Sequence, residues 1–270
     1  MNLIAPFHES TETMTSAPKN PFDLTGKVAL VTGSTMGIGE GTAHVLAQAG
    51  AHVIISSRKQ DDCDRVAQRF RDEGLSAEGR ACHIGKMEDI EAMATHLRAR
   101  HGGLDILVNN AVLSPWRRID DTDVGIFTKT VEVDLRGYWY MSVEATKLMK
   151  PRGGGSIVNI ASIAAWHPDK MLGLYSTLKT ALLGMSRAFA LEYGEFGIRV
   201  NTVLPGVIQT KLADAYDAET KARFIQKSPV RRLGVPEDIG YAVLYLSAPS
   251  SGFVTGVSLA VDGGMTVTVF

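Results

Sequence analysis

From Lys27 onward, short runs of β-branched and aliphatic residues alternate with longer stretches whose apolar residues recur every three or four positions. No other feature constrains the fold as much. Strands separated by helical segments pair in parallel through crossovers that lay helices on both faces of one sheet. The strand-like runs are Val28–Thr32, His52–Ser56, Glu78–Cys82, Ile106–Asn109, Ser156–Ile160, Arg199–Leu204 and Ser258–Val261. Helical spacing covers Gly39–Ala49, Asp61–Glu73, Glu88–Arg100, Asp123–Met149, Leu174–Tyr193 and Pro236–Ser247. The expected fold is α/β, a Rossmann-type doubly wound parallel sheet of about seven strands in a single domain.

That domain is assigned to residues 22–270. Residues 1–21 are mostly polar, carry Pro6, Pro18 and Pro21, and lack the basic start and apolar centre of a signal peptide, so a flexible arm is expected there. A net charge of −1 with no long basic block removes the electrostatic case for nucleic acid or an anionic membrane as partner. Cys63 and Cys82 are too few for a disulfide framework, which points to a reducing, cytoplasmic setting. The seven histidines show no His-x-x-x-His or Glu-x-x-His pairing, and no metal is expected.

Directly after the first strand comes Thr32-Gly33-Ser34-Thr35-Met36-Gly37-Ile38-Gly39, a glycine-rich turn opening into a helix. Glycines let the backbone approach a pyrophosphate, and a helix start offers unpaired N–H groups to it. Further on stand Asn109-Asn110-Ala111, Ser162, Tyr175-x-x-x-Lys179, Arg199-Val200-Asn201, Pro205-Gly206 and Asp262-Gly263-Gly264. Together these resemble the motifs of the short-chain dehydrogenases/reductases, in the same order, over residues 24–264. The resemblance implies hydride transfer between a nicotinamide dinucleotide and a carbonyl or secondary alcohol.

The second strand is followed by Ser56-Ser57-Arg58-Lys59. No acid is present to take a ribose 2′-hydroxyl, and Arg58 can pair with a 2′-phosphate through its planar fork. NADP(H) is therefore the preferred cofactor, with NAD(H) as the alternative. Ser57, Arg58 and Lys59 would meet the adenosine end, with His83 and Ile84 beside the adenine. By resemblance, Asn109 and Ala111 border the cofactor, Lys179 holds the nicotinamide ribose, and Pro205, Gly206, Val207, Ile208 and Thr210 flank the nicotinamide.

A tyrosine ordinarily titrates near 10, so proton exchange around neutrality needs a neighbouring cation. Tyr175 and Lys179 are four residues apart on a helical segment and project from one face. Ser162 lies thirteen residues before Tyr175, the family's spacing, and the resemblance makes it the residue that orients the substrate oxygen. Two positions depart from the family pattern. Asp134 replaces the asparagine that usually anchors a proton-relay water, and its charge opposes part of Lys179's effect on Tyr175. Val112 replaces a glycine in the pocket wall.

Loops around Leu113–Trp116, Ile163–Leu172 and Val207–Ser228 carry Trp116, Trp166, Met171 and Leu172, which suits a fairly apolar ketone or alcohol. Relatives that act on acyl-carrier substrates dock the carrier with two arginines, and Tyr140 and Phe196 fall at those positions. An NAD-dependent 3-hydroxyacyl or 3-oxoacyl thioester oxidoreductase and a dinucleotide sensor or scaffold without turnover stay open as alternatives. Family members form tetramers or dimers through the helices matching Asp123–Met149 and Leu174–Tyr193, which implies a homo-oligomer.

Overall fold

Every residue of β1 (Val28–Thr32) is buried, as a strand covered on both faces requires. In the computed structural model, which describes residues 20–211 and 216–268, β1 lies inside a seven-stranded sheet. The other strands are β2 (His52–Ser56), β3 (Ala77–Gly79), β4 (Ile106–Asn109), β5 (Gly155–Ile160), β6 (Ile198–Pro205) and β7 (Ser258–Val261). Their order is β3-β2-β1-β4-β5-β6-β7, all parallel. The chain reverses its winding between β1 and β4, and the crevice beyond the carboxyl ends of those strands is where such sheets take ligands. The expected arm lies, except for Asn20 and Pro21, outside the described residues.

Helices α1 (Gly37–Gln48), α2 (Gln60–Asp72), α3 (Met87–His101), α5 (Tyr138–Met149), α6 (Gly173–Tyr193) and α8 (Pro236–Ser247) cover the sheet, with α4 (Val124–Val131) and α7 (Ala218–Lys227) outside the core. Alternation along the strands divides the core. Val28 and Leu30 pack with Met93, Met141 and Leu182 on the α3, α5, α6 face. Ala29 and Val31 pack with Leu46, Phe70 and Val243 on the α1, α2, α8 face. No helix of the described residues is long and apolar enough to cross a membrane.

Three elements differ from the sequence reading. The third strand stops at Gly79, although Arg80 and Cys82 still donate to Ile55 and Ser57 carbonyls along the β2 edge. The single helix expected over Asp123–Met149 is broken by a π-helical turn at Glu132–Gly137, where Gly137 packs against the Ile84 backbone. The region read as the Val207–Ser228 loop contains α7, started by the Asp217 carboxylate accepting from Thr220 N–H.

A buried chain of polar side chains fixes α5 and α6 on the sheet. Asn109 Nδ2 donates to Asn159 Oδ1 and to Ser142 Oγ on α5. Asn159 Nδ2 donates in turn to Ser186 Oγ on α6, which also accepts from Thr202 Oγ1 on β6. Asn159 is the middle member. Each buried polar group left without a partner costs about 1–3 kcal/mol, so Asn159→Ala is expected to destabilise the fold by roughly 2–4 kcal/mol in urea unfolding at unchanged m-value. A midpoint equal to wild type would show that the chain of amides does not hold the helices.

Candidate active site

The turn from β1 into α1 has the backbone that its glycines dictate. Gly33 and Gly37 sit at φ 66° and 58°, in the left-handed region that favours glycine. A Cβ on Gly33 would stand 2.7 Å from Ala111 Cα. Ala111 therefore backs the turn from β4. Helix α1 starts at Gly37 with no side-chain cap, Met36 being extended and exposed, so its first N–H groups are free to meet an anion. Thr35 is buried beside them, and Ile38 faces the cleft. These residues fit a dinucleotide phosphate.

Some expected contacts are spent elsewhere. Ser34 is fully buried, its hydroxyl donating to Val31 O at 2.6 Å and accepting from Ser56 N–H at 2.8 Å, so it ties β1 to β2 and does not face the cleft. Asn109 points into the sheet interior within the amide chain. It is Asn110 that lines the cleft, and its amide donates to Thr32 O at 3.0 Å and Gly33 O at 3.1 Å. The Ile84 side chain belongs to the core, leaving only its backbone for an adenine. His83 is half-buried, with Nδ1 accepting from Gly85 N–H. Beyond β2, Ser57 accepts from Cys82 N–H through its carbonyl, and Arg58 and Lys59 are exposed without an ion pair among the described residues.

Ser162, Tyr175, Lys179, Pro205, Gly206, Val207, Ile208 and Thr210 share one cleft of about 240 Å³ at the carboxyl ends of β5 and β6. Ser162 follows β5, and its Oγ accepts from Ala164 N–H and lies in the same cleft as the Tyr175 hydroxyl, whose pKa it lowers. Lys179 Nζ donates to Ile160 O at 2.8 Å and stands 5.5 Å from the Tyr175 ring centre. Asp134, fully buried in the π-helical turn, accepts from Leu113 N–H at 2.7 Å through Oδ1. Its Oδ2 has no partner among the described residues.

Burial dominates the titration of this group. It pushes Asp134 up to about 6, against the pull of the Lys179 charge and the Leu113 hydrogen bond. It brings Lys179 down to about 8, opposed by Asp134. It also raises Tyr175 to about 12; the Ser162 hydrogen bond opposes that rise and the Asp134 charge adds to it. Around neutrality the arrangement is thus a protonated phenol facing a serine, with an ammonium and a carboxylate behind it.

A model described as Enoyl-(Acyl carrier protein) reductase matches residues 33–266. Dehydrogenase/reductase SDR family member 4 of Oryctolagus cuniculus is 42% identical over 244 residues, covering 89% of this chain and 94% of that protein. The Homo sapiens protein of that name is 40% identical, with 89% and 88% covered. The chain belongs to the short-chain dehydrogenase/reductase family. Among solved SDR structures, a Burkholderia cenocepacia gluconate 5-dehydrogenase in complex with NADP and tartrate superposes with a TM-score of 0.89 at 31% identity, covering 92% of this chain and 98% of that one. A 7α-hydroxysteroid dehydrogenase complexed with NADH and 7-oxo glycochenodeoxycholic acid gives 0.87 at 33%, with 90% and 96% covered.

This SDR site also holds residues that the sequence reading did not single out. Tyr138 lies one helical turn after Asp134, fully buried, its hydroxyl unpartnered among the described residues and its ring centre 5.2 Å from Lys179 Nζ. Its distance of four residues from Asp134 was the available signal. Tyr216 sits between Trp116, tilted to it, and Phe224, edge-on to it, at centroid distances of 5.1 and 5.0 Å, which no sequence spacing announces. Asn110 is the middle residue of Asn109-Asn110-Ala111, and its role rests on side-chain direction. Replacing it by Ala leaves the Thr32 and Gly33 carbonyls without their side-chain donor, so about 1–2 kcal/mol of stability is expected to go. NADPH affinity, read by fluorescence titration, should fall with it; unchanged affinity would mean the turn keeps its shape without that amide.

Proposed function

We propose that the protein interconverts a fairly apolar ketone and its secondary alcohol using NADP(H), with Tyr175 as the acid–base residue, Ser162 and Lys179 as its catalytic partners and Asp134 as the charge behind Lys179. The observation that carries this reading is the convergence of Ser162, Tyr175 and Lys179 on one cleft. The nicotinamide supplies or accepts the hydride when bound. In reduction Tyr175 gives its proton to the substrate oxygen, and Ser162 donates a hydrogen bond to the same oxygen as charge develops there. Lys179 favours the phenolate that Tyr175 becomes.

For the cofactor, exposed and unpaired Arg58 and Lys59 after β2 favour a 2′-phosphate, and the gluconate 5-dehydrogenase neighbour carries NADP. The NADH of the hydroxysteroid dehydrogenase neighbour keeps NAD(H) as the second cofactor. The wall of Trp116, Tyr216, Phe224, Leu172 and Met265 suits an apolar substrate more than a polyol. Trp139 and Tyr140 are large exposed residues on the α5 face beside α6, which supports a homo-oligomer built there.

The test is NADPH oxidation over a panel of aryl, alicyclic and steroid ketones by wild type and Tyr175→Phe. Wild type is expected to turn over at least one, and the variant to lose roughly a hundredfold or more in kcat while still binding NADPH. Cofactor binding without turnover by wild type would favour a sensor, and equal efficiency with NADH would overturn the role given to Arg58.

A further inference from the structure

At the opposite end of the sheet from the cleft, three histidines close around one glutamate. His52 opens β2, Glu78 lies on β3, and His96 and His101 occupy the last turns of α3. The register pairs Ile54 with Glu78, which puts His52 and Glu78 on the face that α3 covers. His101 Nε2 stands 3.5 Å and His52 Nε2 3.9 Å from the same oxygen, Glu78 Oε2. Both nitrogens are buried, and neither makes a well-formed hydrogen bond among the described residues. One ligand atom from each of His52, Glu78 and His101 can be chosen so that all lie within 4.8 Å of one another.

We propose that His52, Glu78 and His101 form a binding site for a divalent ion of the zinc class. Two atoms each about 2.0–2.1 Å from a tetrahedral zinc stand about 3.4 Å apart, so the observed nitrogen–oxygen separations need only small side-chain movements. The surroundings are those of a ligand set. His52 Nδ1 is hydrogen-bonded to Ser76 Oγ at 2.7 Å, which leaves Nε2 to present its lone pair. His96 Nε2 holds the other carboxylate oxygen, Glu78 Oε1, and so turns Oε2 toward His52 and His101. The side chains are 14–29% exposed, which leaves an ion a path from solvent and room for water as a further ligand. Two imidazoles select zinc-class ions over magnesium and calcium, which prefer oxygen. The bound ion would fasten the short edge strand β3 to α3. The expectation of no metal came from spacing along the chain, and these ligands come from three separate elements.

The full chain, stripped with EDTA and desalted, is titrated with zinc chloride by calorimetry, with thermal unfolding followed in parallel. One equivalent is expected to bind and to raise the unfolding midpoint, with magnesium chloride unable to compete. His52→Gln and His101→Gln should each weaken binding by roughly a hundredfold or more, and Ser76→Ala by about tenfold, whereas His44→Gln, beside Glu73 on another face, should bind as wild type. Cobalt(II) absorption of the wild type, showing four-coordinate imidazole and carboxylate ligation, tests the site even if a variant does not fold. The proposal is overturned if wild type takes up no stoichiometric zinc, or if folded His52→Gln and His101→Gln bind it as tightly as wild type.

Discussion

Lys179 is 2% exposed, and an ammonium at that depth loses its hydration unless the protein replaces it. One replacement is a carbonyl: Ile160 O, at the end of β5, accepts from Nζ. The other is a charge: Asp134 opposes the fall that burial imposes on Lys179. Tyr138 adds its ring face. Every part of this arrangement comes from a different element, so the sheet, α6 and the π-helical turn before α5 must all be in place before the lysine can hold its proton near neutrality. The amide chain through Asn109 and Asn159 holds α5 and α6 to the sheet at a common depth.

Asp134 acts in two senses at once. It opposes the fall that burial imposes on Lys179, while its own charge raises Tyr175. Oδ2 is buried without a partner among the described residues, near Tyr138, whose hydroxyl is likewise unpartnered among them. Two unsatisfied polar atoms beside a buried ammonium are costly in a fold and are typical of a site that keeps room for a proton carrier.

Much of this was legible in the sequence because it depends on local chemistry. β1, β2, β4 and β7 carry the expected bounds, since a strand buried on both faces reads as an unbroken apolar run. The glycine turn was readable because positive φ at Gly33 and Gly37 leaves glycine as the favoured residue. What could not be read depends on side-chain direction. Ser34 and Asn109 sit in recognised motifs yet turn inward, and Asn110 next door turns to the cleft. The π-helical turn keeps helical apolar spacing on either side of itself, so periodicity runs straight through it. The His52, Glu78 and His101 grouping is assembled by sheet register and the docking of α3, neither of which leaves a mark on spacing along the chain.

The dependence of Tyr175 on a buried, carboxylate-supported Lys179 is tested most directly by the pH profile of kcat/KM for NADPH-dependent ketone reduction in wild type and Asp134→Asn. The amide can still accept from Leu113 N–H, so the change is confined largely to charge. With the carboxylate gone, burial acts on Lys179 unopposed and its pKa drops below about 8. The alkaline limb of the reduction profile is then expected to move to lower pH. A limb that stays in place, or moves to higher pH, would contradict the role assigned to the Asp134–Lys179 pair.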